Sequence, residues 1–205
     1  MTAIRERTIG GAAIVLALGV LYAGIRWGST VAGGADSSGY VLEAGLWRAG
    51  GMQVHQDVVR DSPWPFALQT WTPLGFVPST TQPDAIVPSY APGYPLLMAL
   101  AQIAGGYCAA FFVVPICGAL TIWSTYRLGR RLFERPSIAI GGALLVATSP
   151  VFLYQLVNPM SDVPVAAAWT AALALAVSDL PLSAGLATAA AIAIRPNLAP
   201  LAGVL

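Results

Sequence analysis

Gly33-Gly34-Ala35-Asp36-Ser37-Ser38-Gly39-Tyr40-Val41-Leu42-Glu43-Ala44-Gly45-Leu46 follows directly on the first long apolar run, Ile9 to Trp27. That run is about long enough to cross a bilayer, which takes roughly 20 apolar residues. A carboxylate therefore sits in a turn of small residues just where the chain leaves the membrane. Asp36 and Ser37 are good N-cap residues, because their side-chain oxygens can accept the unpaired N–H groups of a following helix. From Tyr40 onward Val41, Leu42, Leu46 and Trp47 recur at roughly helical spacing, the pattern of a helix lying flat on a bilayer. An acid at that boundary sees a lower dielectric than water, which raises its pKa and makes it a better base. The rest of the chain reads as apparatus for presenting that acid to something in or near the lipid.

Composition sets the class. Of 205 residues, 57% are hydrophobic and 9% charged, where a soluble domain carries about a quarter charged. The mean hydropathy of +0.71 agrees. The fold class is an all-α polytopic membrane protein. A net charge of +1 argues against a nucleic-acid surface, which needs a basic stripe. Cys108 and Cys117 lie nine apart in an apolar helical pattern, so they share no face and read as buried thiols rather than a disulfide or a metal pair. Arg5 and Arg7, the apolar stretch after them and the small residues at 32–35 also resemble a signal peptide. The length of the run and the membrane protein that follows favour an uncleaved first helix.

The pattern divides the chain into a first span at 9–27, an outer loop at 28–92 with a surface helix, and a partial helix at 93–104. Membrane helices follow at 107–126, 137–152, 163–178 and 182–205. The outer loop is rich in proline and aromatics, among them Pro63, Trp64, Pro65, Trp71 and Pro73. Proline at that density blocks long helices, and tryptophan suits the headgroup layer. Positive residues orient the spans. Arg5 and Arg7 place the N-terminus in the cytoplasm, so Asp36 lies outside. If 93–104 does not cross, the cluster Arg127, Arg130, Arg131 and Arg135 is also cytoplasmic. Asp162 then faces the side of Asp36. Arg195 falls about 13 residues into the last outward helix, roughly 20 Å from its start. An arginine at that depth costs about 2.5–3.5 kcal/mol and needs a partner or a cavity.

Each candidate has a plain reading beside a chemical one. Asp36 is an N-cap or a base. For Asp162, capping by the Ser161-Asp162 pair is the stronger reading. Glu43 reads as part of a solvated helix face, and His55, the one histidine, as a solvated loop residue. The arginine cluster reads as a topology signal and headgroup anchor. No zinc-protease, serine-hydrolase, Walker or dinucleotide motif is present. The residues alone outline an outward-facing site with a carboxylate (Asp36), a second acid (Asp162) and a cation able to hold an anionic group (Arg195), all converging on one cavity.

A longer order of motifs carries a resemblance. After the first span come Ala35-Asp36-Ser37-Ser38-Gly39-Tyr40, Tyr90-Ala91-Pro92-Gly93-Tyr94-Pro95, Tyr126-Arg127-Leu128-Gly129-Arg130-Arg131, Ser149-Pro150, Ser161-Asp162-Val163-Pro164 and Arg195-Pro196-Asn197. This order resembles the N-terminal part of the C-type (GT-C) glycosyltransferases, of the protein mannosyltransferase and lipid A aminoarabinose transferase kind. The resemblance implies a membrane enzyme of a bacterial-type inner membrane. Such an enzyme moves a sugar from a polyprenyl-phosphate carrier to a glycan, lipid or protein acceptor on the outer face. It implies Asp36 as base or as ligand of Mg²⁺ or Mn²⁺, the only cofactor expected. Asp162, Arg195, Tyr40 and Tyr90 would bind substrate, with Arg195 on the carrier phosphate. The chain departs from the pattern at Ser37, where relatives carry a second acid, and at Tyr90-Ala91-Pro92, where they carry His-Pro-Pro. Relatives are about twice as long, so the chain reads as a fragment or as one part of a split protein. The competing classes are a transporter or lipid-binding protein without chemistry, and an inert membrane scaffold.

Overall fold

The computed structural model describes residues 2–133 and 135–204, the side chains of residues 2–7 excepted. The expectations placed on the side chains of Arg5 and Arg7 thus lie outside the described residues. Helix α1 (Thr2–Trp27) contains an apolar span of 20 residues from Thr8 to Trp27. Its Val15, Leu18 and Tyr22 point outward and are more than half exposed, as a helix bathed in lipid tails requires.

Residues 31–110 form one compact unit. Helix α2 (Ala35–Ala49) starts one step earlier than the sequence suggests. Its N-cap is Gly34, whose N–H donates to Ser37 Oγ at 3.0 Å while that hydroxyl donates to Gly34 O at 3.1 Å. Asp36 is therefore in the first turn, where a carboxylate meets the positive end of the helix dipole; it is not the cap. The outer loop also holds a small antiparallel sheet that the proline count had hidden. Strands β1 (Val54–His55), β2 (Phe76–Pro78) and β3 (Ala85–Pro88) pair in the order β1-β3-β2, with helix α3 (Ala67–Trp71) between β1 and β2. Proline blocks helices but is tolerated at strand ends, and Pro78 and Pro88 are the last residues of their strands. Leu68, Phe76 and Ile86 form the local core. Helix α4 (Gly93–Gly105) packs on α2. Its 13 residues reach about 20 Å, short of the roughly 30 Å hydrocarbon layer.

Residues 1–30 and 111–205 form the second unit. A 3₁₀ turn at Tyr107–Phe112 leads into α5 (Val113–Leu132), together an apolar span of 26 residues that runs on through the arginines. The single helix expected at 137–152 is two: α6 (Pro136–Ala147) and α7 (Pro150–Leu156), bent by 61°. Pro150 cannot continue the first helix, and Ser149 Oγ caps the second by accepting from the Phe152 N–H. Helices α8 (Asp162–Ala176) and α9 (Pro181–Ile194) follow. The helix expected through residue 205 stops at Ile194. Pro196 forces the preceding residue out of helical geometry, and a 3₁₀ stretch, Pro196–Val204, replaces it.

Small residues let the helices of this unit touch. Gly10 faces Tyr126, and a Cβ on Gly24 would come 2.9 Å from the Cβ of Pro115, so α5 runs antiparallel to α1. Gly129 meets Ala139 in the same way, closing α5 onto α6. Ala13, Ala17, Ile122, Ala139 and Ala143 fill the seam, the usual small-residue interface of membrane helices. The Ser29 N–H donates to Val157 O at 2.8 Å, tying the end of α1 to the end of α7. The arginines of α5 therefore lie at the end where α1 starts, and α8 starts at the end where α1 finishes. Replacing Gly118, which sits against Leu156 and Val20, with Leu is expected to cost about 1–3 kcal/mol by overpacking. It would appear as a lower thermal midpoint in detergent. Gly19→Leu, with nothing near it, should leave the midpoint unchanged.

Candidate functional site

In the 31–110 unit, Asp36 is exposed and Tyr90 donates its phenol hydrogen to Asp36 Oδ1 at 2.6 Å. The partners are 54 residues apart in sequence, brought together because Tyr90 follows β3 and Asp36 opens α2. The Tyr90 ring lies on Tyr40 with centroids 4.6 Å apart, and Tyr40 meets Tyr94 edge-on at 5.1 Å. Tyr40 and Tyr94 are buried, so the stack anchors the tyrosine from below. Gly39 and Gly75 leave room for the Tyr90 ring: a Cβ on either would run into it. Gly75 also has φ +90, a backbone that a side chain resists. Burial, reinforced by the bond to Asp36, pushes the Tyr90 phenol up to about 12. It stays a protonated donor throughout the neutral range.

Glu43, read from the sequence as solvated, is 1% exposed. It shares the face of α2 that carries Tyr40 and Ala44, which turns inward. The Trp47 indole N–H donates to Glu43 Oε1 at 3.3 Å, and Oε2 has no hydrogen-bond partner among the described residues. Burial raises the carboxyl above its ordinary range, with the indole bond opposing that rise. His55 is exposed, as the solvated reading expects, and it faces an acid. Its Nδ1 lies 3.4 Å from Asp84 Oδ1, and Arg60 donates to Asp84 Oδ2 at 2.6 Å. The Arg60 guanidinium holds the Asp84 carboxyl below its usual range.

In the other unit, Arg195 Nη2 pairs with Asp162 Oδ1 at 2.9 Å, and Arg195 Nε donates to Ser161 Oγ at 3.1 Å. Two sequence readings change here. Ser161, the N-cap residue of α8, makes no side-chain cap bond, and Asp162 holds an arginine rather than the helix end. Arg195 is not inside a helix: it stands just past α9 in extended backbone, φ −140 and ψ 90. Its side chain is 34% exposed and that of Asp162 30%. The guanidinium has five N–H donors, so this arrangement leaves some free for an anion. Ser161 was missed as a partner, although its place beside Asp162 in the sequence was the available signal. A cavity of about 320 Å³ in this unit is lined by Leu120, Trp123, Arg127, Ala174, Leu175 and Ser178, among others. Its lining includes Arg127 and none of Asp36, Asp162 or Arg195, so it is not the cavity the sequence reading expected.

The donor set tests the expected cation. Mg²⁺ takes six oxygen ligands, keeps several waters among them and is usually bound through one or two carboxylates plus substrate phosphates. Among the described residues no three His, Cys, Asp or Glu side chains are grouped to hold one. Asp36 brings one carboxylate, and one of its oxygens is already bonded to a phenol. These residues form no all-protein cage, and Asp36 is the one carboxylate that would meet an ion carried in with a substrate phosphate.

Glu43 gives a prediction with a fixed sign. At low pH the folded and unfolded chains both hold its proton; as pH rises the unfolded chain ionises first and stability falls. Glu43→Gln should therefore melt above the parent at neutral pH and show no gain near about pH 4, the ordinary carboxylate range. Thermal melts at the two pH values check it.

Comparison with known proteins bears on the same residues. The family described as dolichyl-phosphate-mannose-protein mannosyltransferase matches residues 90–202. The match opens on Tyr90 and takes in both Asp162 and Arg195, while Asp36 precedes it. No curated protein and no solved structure matches the chain. With more than half its length matched and apolar helices long enough to cross a bilayer, the chain belongs to the dolichyl-phosphate-mannose-protein mannosyltransferase family, a family of membrane glycosyltransferases.

Proposed function

We propose that the chain carries the base and the carrier-phosphate contact of a glycosyltransferase. That enzyme moves a sugar, mannose by the family's description, from a polyprenyl-phosphate carrier to an acceptor hydroxyl. The observation that carries this reading is an exposed carboxylate shortly after the first apolar span, with one oxygen held by Tyr90. Asp36 Oδ2 takes the proton of the acceptor hydroxyl as its oxygen attacks the anomeric carbon. The bond from that carbon to the carrier phosphate breaks, and its electron pair leaves on the phosphate. In the other unit Arg195, oriented by Asp162 and Ser161, keeps N–H groups that suit a phosphate, a charge-assisted contact. Tyr40 borders the site from beneath Tyr90.

The orientation belongs to the same proposal. The arginine end of α5 lies with the start of α1, and the positive-inside rule makes that end cytoplasmic. The outer loop with Asp36 then lies on the non-cytoplasmic face of a bacterial-type plasma membrane.

General-base catalysis contributes about 10²–10⁴-fold. Asp36→Asn in the full-length protein should cut transfer of labelled mannose from its polyprenyl phosphate by about that factor, at normal membrane levels. Undiminished turnover would remove Asp36 from the chemistry, and donor bound but never transferred by the parent would favour a lipid-binding protein instead. For orientation, Cys108 and Cys117 are replaced and one cysteine is placed at Thr80, an exposed position of the outer loop, or at Arg131. An impermeant maleimide should label the first in intact cells and the second only after lysis.

A further inference from the structure

We propose that Tyr90 is the positioning residue of the base rather than a substrate contact: its phenol fixes Asp36 Oδ1 so that only Oδ2 faces the acceptor. This rests on Asp36 being the base. An aspartate on an exposed first turn rotates freely about both its side-chain bonds. A misplacement of about 1 Å at a reacting atom costs about 100-fold. The hydrogen bond from a neutral phenol to a carboxylate is of the strong, charge-assisted kind, and its 2.6 Å length fits that class.

What marks Tyr90 as part of a fixed device is its seat. The ring is held by Tyr40, itself braced on the fully buried Tyr94. Gly39 and Gly75, 36 positions apart by number, both lie where any side chain would displace the ring. Gly39 is in the same helix as Asp36, one turn on, so the helix that carries the base also carries the notch for the group that orients it. A glycine inside a helix costs roughly 0.5–1 kcal/mol relative to alanine, and the notch gives that residue a purpose. A tyrosine serving only packing would not need its hydroxyl aimed at an exposed acid. A tyrosine serving the sugar would leave that hydroxyl open.

The experiment follows release of polyprenyl phosphate from labelled polyprenyl-phosphate mannose, in membranes containing the full-length protein. Tyr90→Phe keeps the ring in its seat and removes only the donor. The expected result is a kcat lowered by about 10- to 100-fold, with KM for the carrier sugar unchanged and an unaltered thermal midpoint. Gly39→Ala, which favours the helix but fills the notch, should lower kcat to a similar degree. Combined with Tyr90→Phe it should add little, because both remove one interaction. Raised KM with unchanged kcat in Tyr90→Phe would make Tyr90 a substrate contact and overturn the proposal. Full activity in Tyr90→Phe beside an inactive Asp36→Asn would also overturn it while leaving the base in place. Full activity in Asp36→Asn would instead remove the base, and the positioning role with it. If Gly39→Ala fails to fold, the Tyr90→Phe split between kcat and KM still decides.

Discussion

The close approach of α5 to α1 and α6 is the constraint on which the membrane module depends. Helices in lipid gain little from the hydrophobic effect when they associate, so they rely on backbone proximity and packing. Gly24 against Pro115 and Gly129 against Ala139 supply that proximity, and the alanines of the seam keep it. The antiparallel register follows, and the register sorts the charges. Arginines 127, 130 and 131 collect at one end of the module, while the Asp162–Arg195 pair belongs to the start of α8 at the other. A single bulky residue in the seam would disturb both ends at once.

The two candidate pairs use opposite electrostatic strategies. Arg195 has an acid and a hydroxyl for partners, which hold a permanent cation in place without consuming all of its donors. Asp36 has a neutral donor instead. A permanent cation thus has an acid and a hydroxyl beside it, and an exposed carboxylate has a neutral donor. Glu43 shows the contrast: it is buried with one oxygen unpartnered among the described residues, and burial raises its carboxyl above the ordinary range.

The breaks in the helices also have local causes with distant consequences. Pro150 ends α6 and lets α7 turn by 61°, and the chain then reaches Ser29 through Val157. Pro196 ends α9 and frees Arg195 from helical backbone, so its side chain reaches back to Asp162. Proline thus sets where two of the helices stop.

The class of this protein was written in its composition. The apolar runs, the short reach of residues 93–105 and the resemblance that the match over residues 90–202 supports are all local or ordered along the chain, which is why they could be read from it. Asp36, Asp162 and Arg195 were legible as candidates because charges are so sparse in this sequence. Their partners were not, because a hydrogen bond spanning 54 residues or one spanning 34 leaves no periodicity to detect. The small sheet was hidden because its strands are too short to show alternation. Glu43 misled for a related reason: a helix face is assigned by majority, and only the packing of α2 on α4 decides which minority residue turns inward. The order of residues set what each segment is able to do; tertiary packing decided which side chains meet, since contact depends on distances in space that spacing along the chain does not record.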